Sequence, residues 1–160
     1  MIWSNRRQSL QALLLGGLGW SLSAQAAPVV LPSAGSLPAS LESALRSKQP
    51  LVVMVSLHGC AFCKVVRENY LHPLRASGLQ VVQVDMRDPR ALTDFTGAAT
   101  THDAWVRQQR IKIAPTVLFF GAQGREVAAR LTGAYLPDFY GAYLDEQLAV
   151  ARQAVQGSGA

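Results

Sequence analysis

The chain of 160 residues is poor in charge and in cysteine, and each shortage narrows the range of functions. Charged residues make up 16% of the sequence, with both signs mixed along it. No basic run with interleaved aromatic residues occurs, so a nucleic-acid-binding surface is not predicted. A glycine-rich phosphate loop and a Ser/His/Asp set with catalytic spacing are also missing. The length of the chain predicts a single domain, and its 49% of hydrophobic residues are enough to build a core.

Acidic residues are missing from the N-terminal part of the chain, which has the pattern of a signal peptide. Only Arg6 and Arg7 carry charge before Glu42, and an apolar segment follows them at residues 10–22. A small-x-small site ends at Ala26, so we expect residues 1–26 to be cleaved during export to a periplasm. The pattern fits both the general and the twin-arginine route. An uncleaved anchor is disfavoured, because the apolar segment is shorter than the roughly 20 residues of a membrane span.

The mature chain carries 13 Lys and Arg residues against 10 Asp and Glu residues. We expect a flexible leader over residues 27–39, a folded domain over 40–155 and a frayed tail over 156–160, since proline, glycine and small residues are frequent at both ends. Apolar periodicity predicts the order helix, strand, helix, strand, helix, strand, strand, helix. The first two strands are joined by a helix and should run parallel, whereas the last two should form an antiparallel hairpin.

Both cysteines of the chain lie at a predicted strand-to-helix junction. The buried strand begins at Leu51, and Cys60 and Cys63 follow it at the start of a helix. Unpaired N–H groups and a positive dipole at a helix N-terminus favour a thiolate over a thiol. A purely structural disulfide is the alternative, but a loop this small removes little entropy from the unfolded chain. The position therefore favours redox chemistry.

Further along the chain, Ala114-Pro115-Thr116 opens a strand, a glycine turn and a second strand. With the Cys-x-x-Cys pair and the export signal, this pattern resembles the thioredoxin family over roughly residues 50–148. It is more similar to exported members related to the SoxW and disulfide-isomerase groups. The resemblance implies an α/β thioredoxin-like fold with a central mixed β-sheet flanked by helices.

The resemblance also implies the roles of individual residues. Cys60 would be the exposed nucleophile and Cys63 the buried resolving thiol, and together they would form a redox-active disulfide. Pro115 would have a cis peptide bond and face the pair, with the neighbouring Ala114 and Thr116 supporting the substrate. No cofactor besides the dithiol is expected.

Three residues next to the cysteines are candidate supporting residues, and two of them have alternative explanations. Gly59 precedes the pair and belongs to its motif. His58 either stabilises a Cys60 thiolate as a cation or is a solvent-facing loop residue. Phe62 either contacts an apolar partner or is buried.

The sequence departs from the thioredoxin pattern beneath the active site. Thioredoxin buries an aspartate paired with a lysine there, and the corresponding positions are Met54 and, nearby, Val81. The proton shuttle of that pair is therefore predicted to be missing.

These observations predict a monomeric periplasmic thiol:disulfide oxidoreductase that reduces or isomerises disulfides of exported proteins. A membrane protein would then donate its electrons. Two alternatives remain at this stage: a disulfide-forming oxidant, and a carrier of copper or another soft metal that uses His58, Cys60 and Cys63.

Overall fold

The computed structural model of the chain describes residues 29–134 and 137–157. The predicted signal peptide, residues 1–26, lies outside the described residues, as do residues 158–160 of the predicted tail. The helices and strands are α1 (Leu37–Arg46), β1 (Leu51–Ser56), α2 (Ala61–Val66), a π-helical turn (Arg67–Leu71), α3 (His72–Ala76), β2 (Val81–Asp85), β3 (Ala91–Thr93), β4 (Ala99–Thr101), α4 (His102–Gln108), β5 (Thr116–Phe120), a 3-10 turn (Ala122–Gly124), β6 (Leu131–Thr132) and α5 (Pro137–Gly157).

Strand β1 lies inside a sheet that, in the described part of the chain, has four strands in the order β2-β1-β5-β6. It runs parallel to β2, with Val52 opposite Val81, and antiparallel to β5, with Leu51 opposite Phe120. Strand β6 pairs antiparallel with β5 at one edge. The predicted parallel first pair and antiparallel last pair are both confirmed, and the sheet is mixed as expected.

The side chains of β1 alternate between two hydrophobic cores, and all six of its residues are buried. Val52 and Met54 lie in one core with Cys63 and residues of α5. Val53 and Val55 lie in the other core, which holds residues of α1 and α4. Burial on both faces explains why β1 is a continuous apolar run rather than an alternating one.

The predicted flexible leader is wrong for its second half, because residues 31–39 belong to the folded domain. Leu31 and Ala34 are buried, and the Gln83 N–H donates to the Pro32 carbonyl at 2.8 Å. The Ala34 N–H in turn donates to the Gln83 carbonyl at 2.9 Å. This N-terminal segment, residues 31–34, therefore pairs with the outer edge of β2 and covers it.

The sequence over residues 40–46 predicts a short helix with Ser40 or Ser43 near its start, but α1 begins earlier, at Leu37. Ser36 is its N-cap, with a side-chain oxygen that accepts from the Ala39 N–H at 3.3 Å. Pro38 lies in the first turn, where a missing N–H costs nothing. The buried Leu37 then anchors the helix start in the core.

Pro73 predicts an interruption of the helix after Leu71, with another turn following it, but the helical segment continues to Ala76. Pro73 cannot donate to the helix ladder, and its ring would crowd the carbonyl one turn earlier. The chain accommodates it through the π-helical turn, in which the His72 N–H donates to the Arg67 carbonyl. The three segments α2, π-helical turn and α3 therefore follow one another without a break.

The turn-rich stretch 88–101 contains a short hairpin that the sequence pattern did not reveal. Strands β3 and β4 pair antiparallel, with Leu92 opposite Thr100. Asp94 closes the turn, because its Oδ1 accepts from the Thr96 N–H at 2.8 Å and from the Ala98 N–H at 3.0 Å. The Thr96 hydroxyl donates to the same oxygen at 2.6 Å. These bonds hold the pKa of Asp94 below its ordinary value of 3.8, with the Thr96 side chain contributing most.

The C-terminal part also differs from its prediction in detail. The sequence over residues 125–133 predicts a strand, but strand pairing there is confined to β6 and a single bridge between Phe120 and Glu126. The apolar positions of the last helix predict that Phe139, Tyr143, Leu144 and Leu148 face the core. Leu144 and Leu148 are buried in α5, whereas Phe139 and Tyr143 are exposed. None of the helices in residues 29–134 and 137–157 combines the length and the apolar character that crossing a bilayer requires.

His102, the first residue of α4, connects the N-terminal segment to the end of β2. It is buried, and its Nδ1 accepts from the Asp85 N–H at 3.0 Å. Its Nε2 lies 2.8 Å from the Ala34 carbonyl oxygen, so the neutral tautomer protonated at Nε2 satisfies both groups. The role of His102 is therefore structural.

Replacing His102 by alanine should lower the free energy of unfolding by about 2–4 kcal/mol, because a cavity forms and two buried backbone groups lose their partners. Denaturant titration measures this loss. Alanine at the exposed His58 is the matched control and should change the free energy of unfolding by less than about 0.5 kcal/mol. Equal effects at the two histidines would contradict the structural role.

The Asp94 turn makes stability depend on pH. Its folded pKa lies below the unfolded one, so its contribution is present above the unfolded pKa and is lost as the pH falls through the folded pKa. In Asp94→Asn, an amide oxygen replaces the titrating carboxylate. We expect wild type to lose stability more steeply than this variant as the pH falls below the ordinary carboxyl pKa of about 3.9, in denaturant titrations at each pH. Parallel curves would exclude this contribution of Asp94.

Candidate functional site

A disulfide between Cys60 and Cys63 lies where β1 leads into α2, with the two Cα atoms 5.2 Å apart. Cys60 is the N-cap of α2, and its sulfur accepts from the Cys63 N–H at 3.1 Å. Gly59 just before it has a φ of +74°, a left-handed conformation that favours glycine and turns the chain into the helix. The sequence-predicted junction of strand, cysteine pair and helix is thus present.

The two sulfurs differ in access. Cys63 is fully buried, in the core that also contains Met54 and Val66. Cys60 is only partly buried and packs against the edge of this core. An incoming sulfur atom therefore reaches Cys60 and not Cys63.

The chain returns to the disulfide 54 residues later, at the loop before β5. The Cys60 sulfur lies 3.8 Å from the Ala114 carbonyl oxygen, and the Ala114–Pro115 peptide bond is cis. Pro115 is buried, and its carbonyl accepts from the Gly133 N–H at 2.7 Å. Thr116 is turned inward, where its hydroxyl donates to the Ile113 carbonyl at 2.7 Å. The structure thus brings together the cysteine pair and the three residues of the predicted proline motif.

The remaining sequence-predicted residues lie on the exposed rim of the site. Phe62 is 57% exposed, so the buried alternative is wrong. His58 is exposed and lines a groove beside Cys60. Within the described residues, the Cys63 N–H donates a hydrogen bond to the Cys60 sulfur, whereas His58 forms no hydrogen bond with that sulfur.

The position beneath the disulfide is apolar. Met54 is fully buried in the Cys63 core, where the thioredoxin pattern would place a carboxylate. Its partner on β2 is Gln83, while Val81 lies opposite Val52. Met54 therefore supplies neither a charge nor a titratable proton beneath Cys63.

A groove of about 870 Å³ opens beside Cys60, at the carboxyl ends of the parallel strands β1 and β2. Sequence reasoning missed the polar network along it. Arg67 donates to Gln83 and Ser56, Gln83 donates to Asp85, and Arg90 pairs with Asp85. One feature of the sequence could have indicated this network. Ser56 and Asp85 end two parallel strands, and ligands often bind at the carboxyl ends of such strands.

Arg90 also neutralises a second carboxylate at the groove. It pairs with Asp88 at 2.7 Å, and its backbone N–H donates to the same side chain. The hydrogen bonds from Arg90, chiefly from its side chain, hold the pKa of Asp88 below its ordinary value of 3.8. Both Asp85 and Asp88 are therefore already paired with a cation.

Metal ligands are not gathered at the site. Among the residues that the structure describes, no three His, Cys, Asp or Glu side chains are grouped to hold an ion. His58, Cys60 and Cys63 are not such a group in this structure, in which the two sulfurs are bonded to each other. Two sulfurs beside a proline loop, one accessible and one buried, are instead suited to exchanging a disulfide with another molecule.

Comparison with known proteins supports the same chemistry. The sequence profile described as thioredoxin-like domain matches residues 37–148, more than half of the chain. No curated protein sequence matches the chain.

Solved structures share its architecture at low sequence identity. Thioredoxin f from spinach chloroplast is 19% identical with a TM-score of 0.50, over 80% of this chain and 99% of that one. A thioredoxin from Thermus thermophilus is 20% identical with a TM-score of 0.49, over 81% and 92%. The periplasmic thioredoxin SoxS from Paracoccus pantotrophus, in its reduced form, is 22% identical with a TM-score of 0.42, over 64% and 99%. At such identities the spinach protein shows the fold alone.

Proposed function

The chain belongs to the thioredoxin-like domain family, and from this membership we propose that it is a periplasmic thiol:disulfide oxidoreductase acting as a reductase of exported proteins. The family and the Cys60–Cys63 pair fit thiol–disulfide chemistry in general. The direction of electron flow, the clients and the compartment are the parts that we propose. The observation that carries the proposal is an accessible sulfur at a helix start, joined to a buried one and facing Ala114–Pro115.

The reaction needs only the two sulfurs and a disulfide substrate. In the reduced protein, the Cys60 thiolate attacks one sulfur of the substrate, which forms a mixed disulfide and releases the other substrate sulfur as a thiolate. The Cys63 thiol loses its proton and attacks the Cys60 sulfur, which releases the second substrate thiolate. Both substrate sulfurs take up protons, two electrons have moved, and Cys60–Cys63 is oxidised.

The helix start prepares Cys60 for this attack. The Cys63 N–H already points at the Cys60 sulfur at 3.1 Å, where it would stabilise the negative charge of a thiolate. The dipole of the helix start acts in the same direction. Cys60 is also the sulfur that a protein substrate can reach, because Cys63 is enclosed by core residues.

The proline loop is the proposed support for the substrate. Ala114 presents its carbonyl at the disulfide and is partly exposed, so an extended substrate segment can bond to the backbone there. Pro115 and Thr116 hold this loop from behind, since both are buried. Phe62, between the two cysteines, and Ile113, next to Ala114 in the chain, are exposed and offer apolar contact to a substrate.

The cellular setting follows from the N-terminal sequence pattern. We propose export through a signal peptide over residues 1–26, action as a monomer, and reduction by a membrane protein that brings electrons to the periplasm. Met54 leaves the buried Cys63 without the usual carboxylate, so its proton must leave by another route.

Serine substitutions separate the roles of the two sulfurs. Cys60→Ser should lower the rate of insulin disulfide reduction by about 100-fold or more, because the nucleophile is lost. Cys63→Ser should still attack but should accumulate the mixed disulfide, which mass spectrometry detects as an adduct. Each variant is the matched control of the other. Unchanged reduction by Cys60→Ser would overturn the proposed function.

The redox potential separates a reductase from a disulfide-forming oxidant. Strong oxidants owe their potential to a specially stabilised reduced form, whereas a single N–H, that of Cys63, bonds the Cys60 sulfur in the described structure. A titration against glutathione should therefore give a value nearer to about −270 mV than to about −120 mV. A redox potential near about −120 mV would identify the chain as a disulfide-forming oxidant instead.

A further inference from the structure

The groove beside Cys60 contains a positive charge that the redox chemistry does not use. Arg67 begins the π-helical turn (Arg67–Leu71) and lines the same groove as Cys60. A substrate whose sulfur is at Cys60 therefore has its neighbouring atoms within this groove. Its volume, about 870 Å³, accommodates several side chains or a small molecule.

Neutral groups fix the Arg67 side chain in place. Its Nε donates to Gln83 Oε1 at 2.9 Å, and its Nη2 donates to the hydroxyl of the buried Ser56 at 3.0 Å. A guanidinium has five N–H donors, so three remain unused by the described residues. Neither partner compensates the charge, and no carboxylate in the described part of the chain forms an ion pair with it.

The nearby carboxylates are committed elsewhere. The Asp85 carboxylate accepts a hydrogen bond from Gln83 Nε2 at 2.7 Å and pairs with Arg90 Nη2 at 2.6 Å. Asp88 pairs with Arg90 as well. Gln83 thus separates Arg67 from Asp85, accepting from the one and donating to the other. The amide holds the guanidinium in position without neutralising it.

Two more cations line the groove without a described ion pair, Lys64 and Arg87. Glu68 also lines the groove and is the one lining carboxylate without a described ion pair. The part of the groove around Arg67 is therefore prepared for an anion.

We propose that Arg67 binds a carboxylate of the substrate, so that the chain prefers disulfides that carry a negative charge close to the reacting sulfur. This inference rests on the proposed function and adds the substrate class. The carboxylate belongs either to an acidic residue beside a client cystine or to a small disulfide molecule. A planar, prepositioned guanidinium suits this partner because carboxylates accept two of its N–H groups at once.

The test compares three model disulfides of similar size: dithiodipropionate with two negative charges, hydroxyethyl disulfide with none, and cystamine with two positive charges. Stopped-flow measurement of their reaction with the reduced mature protein, which begins at residue 27, gives second-order rate constants. We expect the rate constant to fall from the anionic to the neutral to the cationic disulfide, with a preference of about fivefold for the first over the second. One partly exposed ion pair has about this effect.

Arg67→Gln should abolish this preference while leaving the rate with the neutral disulfide within twofold. Arg67→Lys should keep part of the preference, because the charge remains and the planar fork is lost. Arg75→Gln is the matched control. It removes the same charge from the exposed face of the neighbouring helix α3, outside the groove, and should leave the preference intact. Thermal melting of each variant shows that the fold is retained.

Several results would overturn the inference. If Arg67→Gln slows all three disulfides equally, Arg67 acts on the cysteines and not on the substrate. If wild type has no preference but reduces the neutral disulfide, only this inference fails. If wild type reduces none of the three, the proposed function fails with it.

The source of the carboxylate is decided with two peptide disulfides that have Glu or Gln beside the cysteine. A preference for the Glu peptide that requires Arg67 supports acidic residues of client proteins. A preference seen with dithiodipropionate but not with the Glu peptide supports small anionic disulfides.

Discussion

The functional site depends on the burial of β1 from both faces and its pairing on both sides. Full burial fixes where the strand ends, and therefore where Cys60 leaves the sheet and α2 begins. Because β5 runs antiparallel to β1, the start of β5 lies beside the end of β1. Ala114–Pro115, just before β5, therefore lies next to Cys60. Two segments separated by more than fifty residues meet because hydrogen bonds and apolar packing leave β1 no other register.

The described structure places its fixed charges beside the disulfide rather than under it. Met54 makes the layer beneath Cys63 apolar, while Arg67, Asp85 and Arg90 form a polar network along the groove. A charge buried beneath the disulfide would be expensive to desolvate, and a groove wall avoids most of that cost. The electrostatics of this chain thus act where a substrate arrives.

The sequence predicted the parts of the site that depend on local pattern. The apolar run of β1, the cysteine pair at a helix start and the proline before β5 are each visible in a few consecutive residues. The start of α1 at Leu37 and the hairpin of β3 and β4 were missed, because they rest on a cap and on a turn closed by Asp94. The Arg67 network was missed because its residues come from three separate elements that only the sheet register brings together.

The N-terminal segment completes one side of the sheet. Residues 31–34 form the outermost hydrogen-bonded layer of the sheet, and His102 holds their end in place. A fragment beginning at Ser40 would leave the backbone groups of β2 open to any extended chain nearby, including another molecule of the same protein. Removing residues 31–34 would therefore expose a sheet edge at which chains can associate.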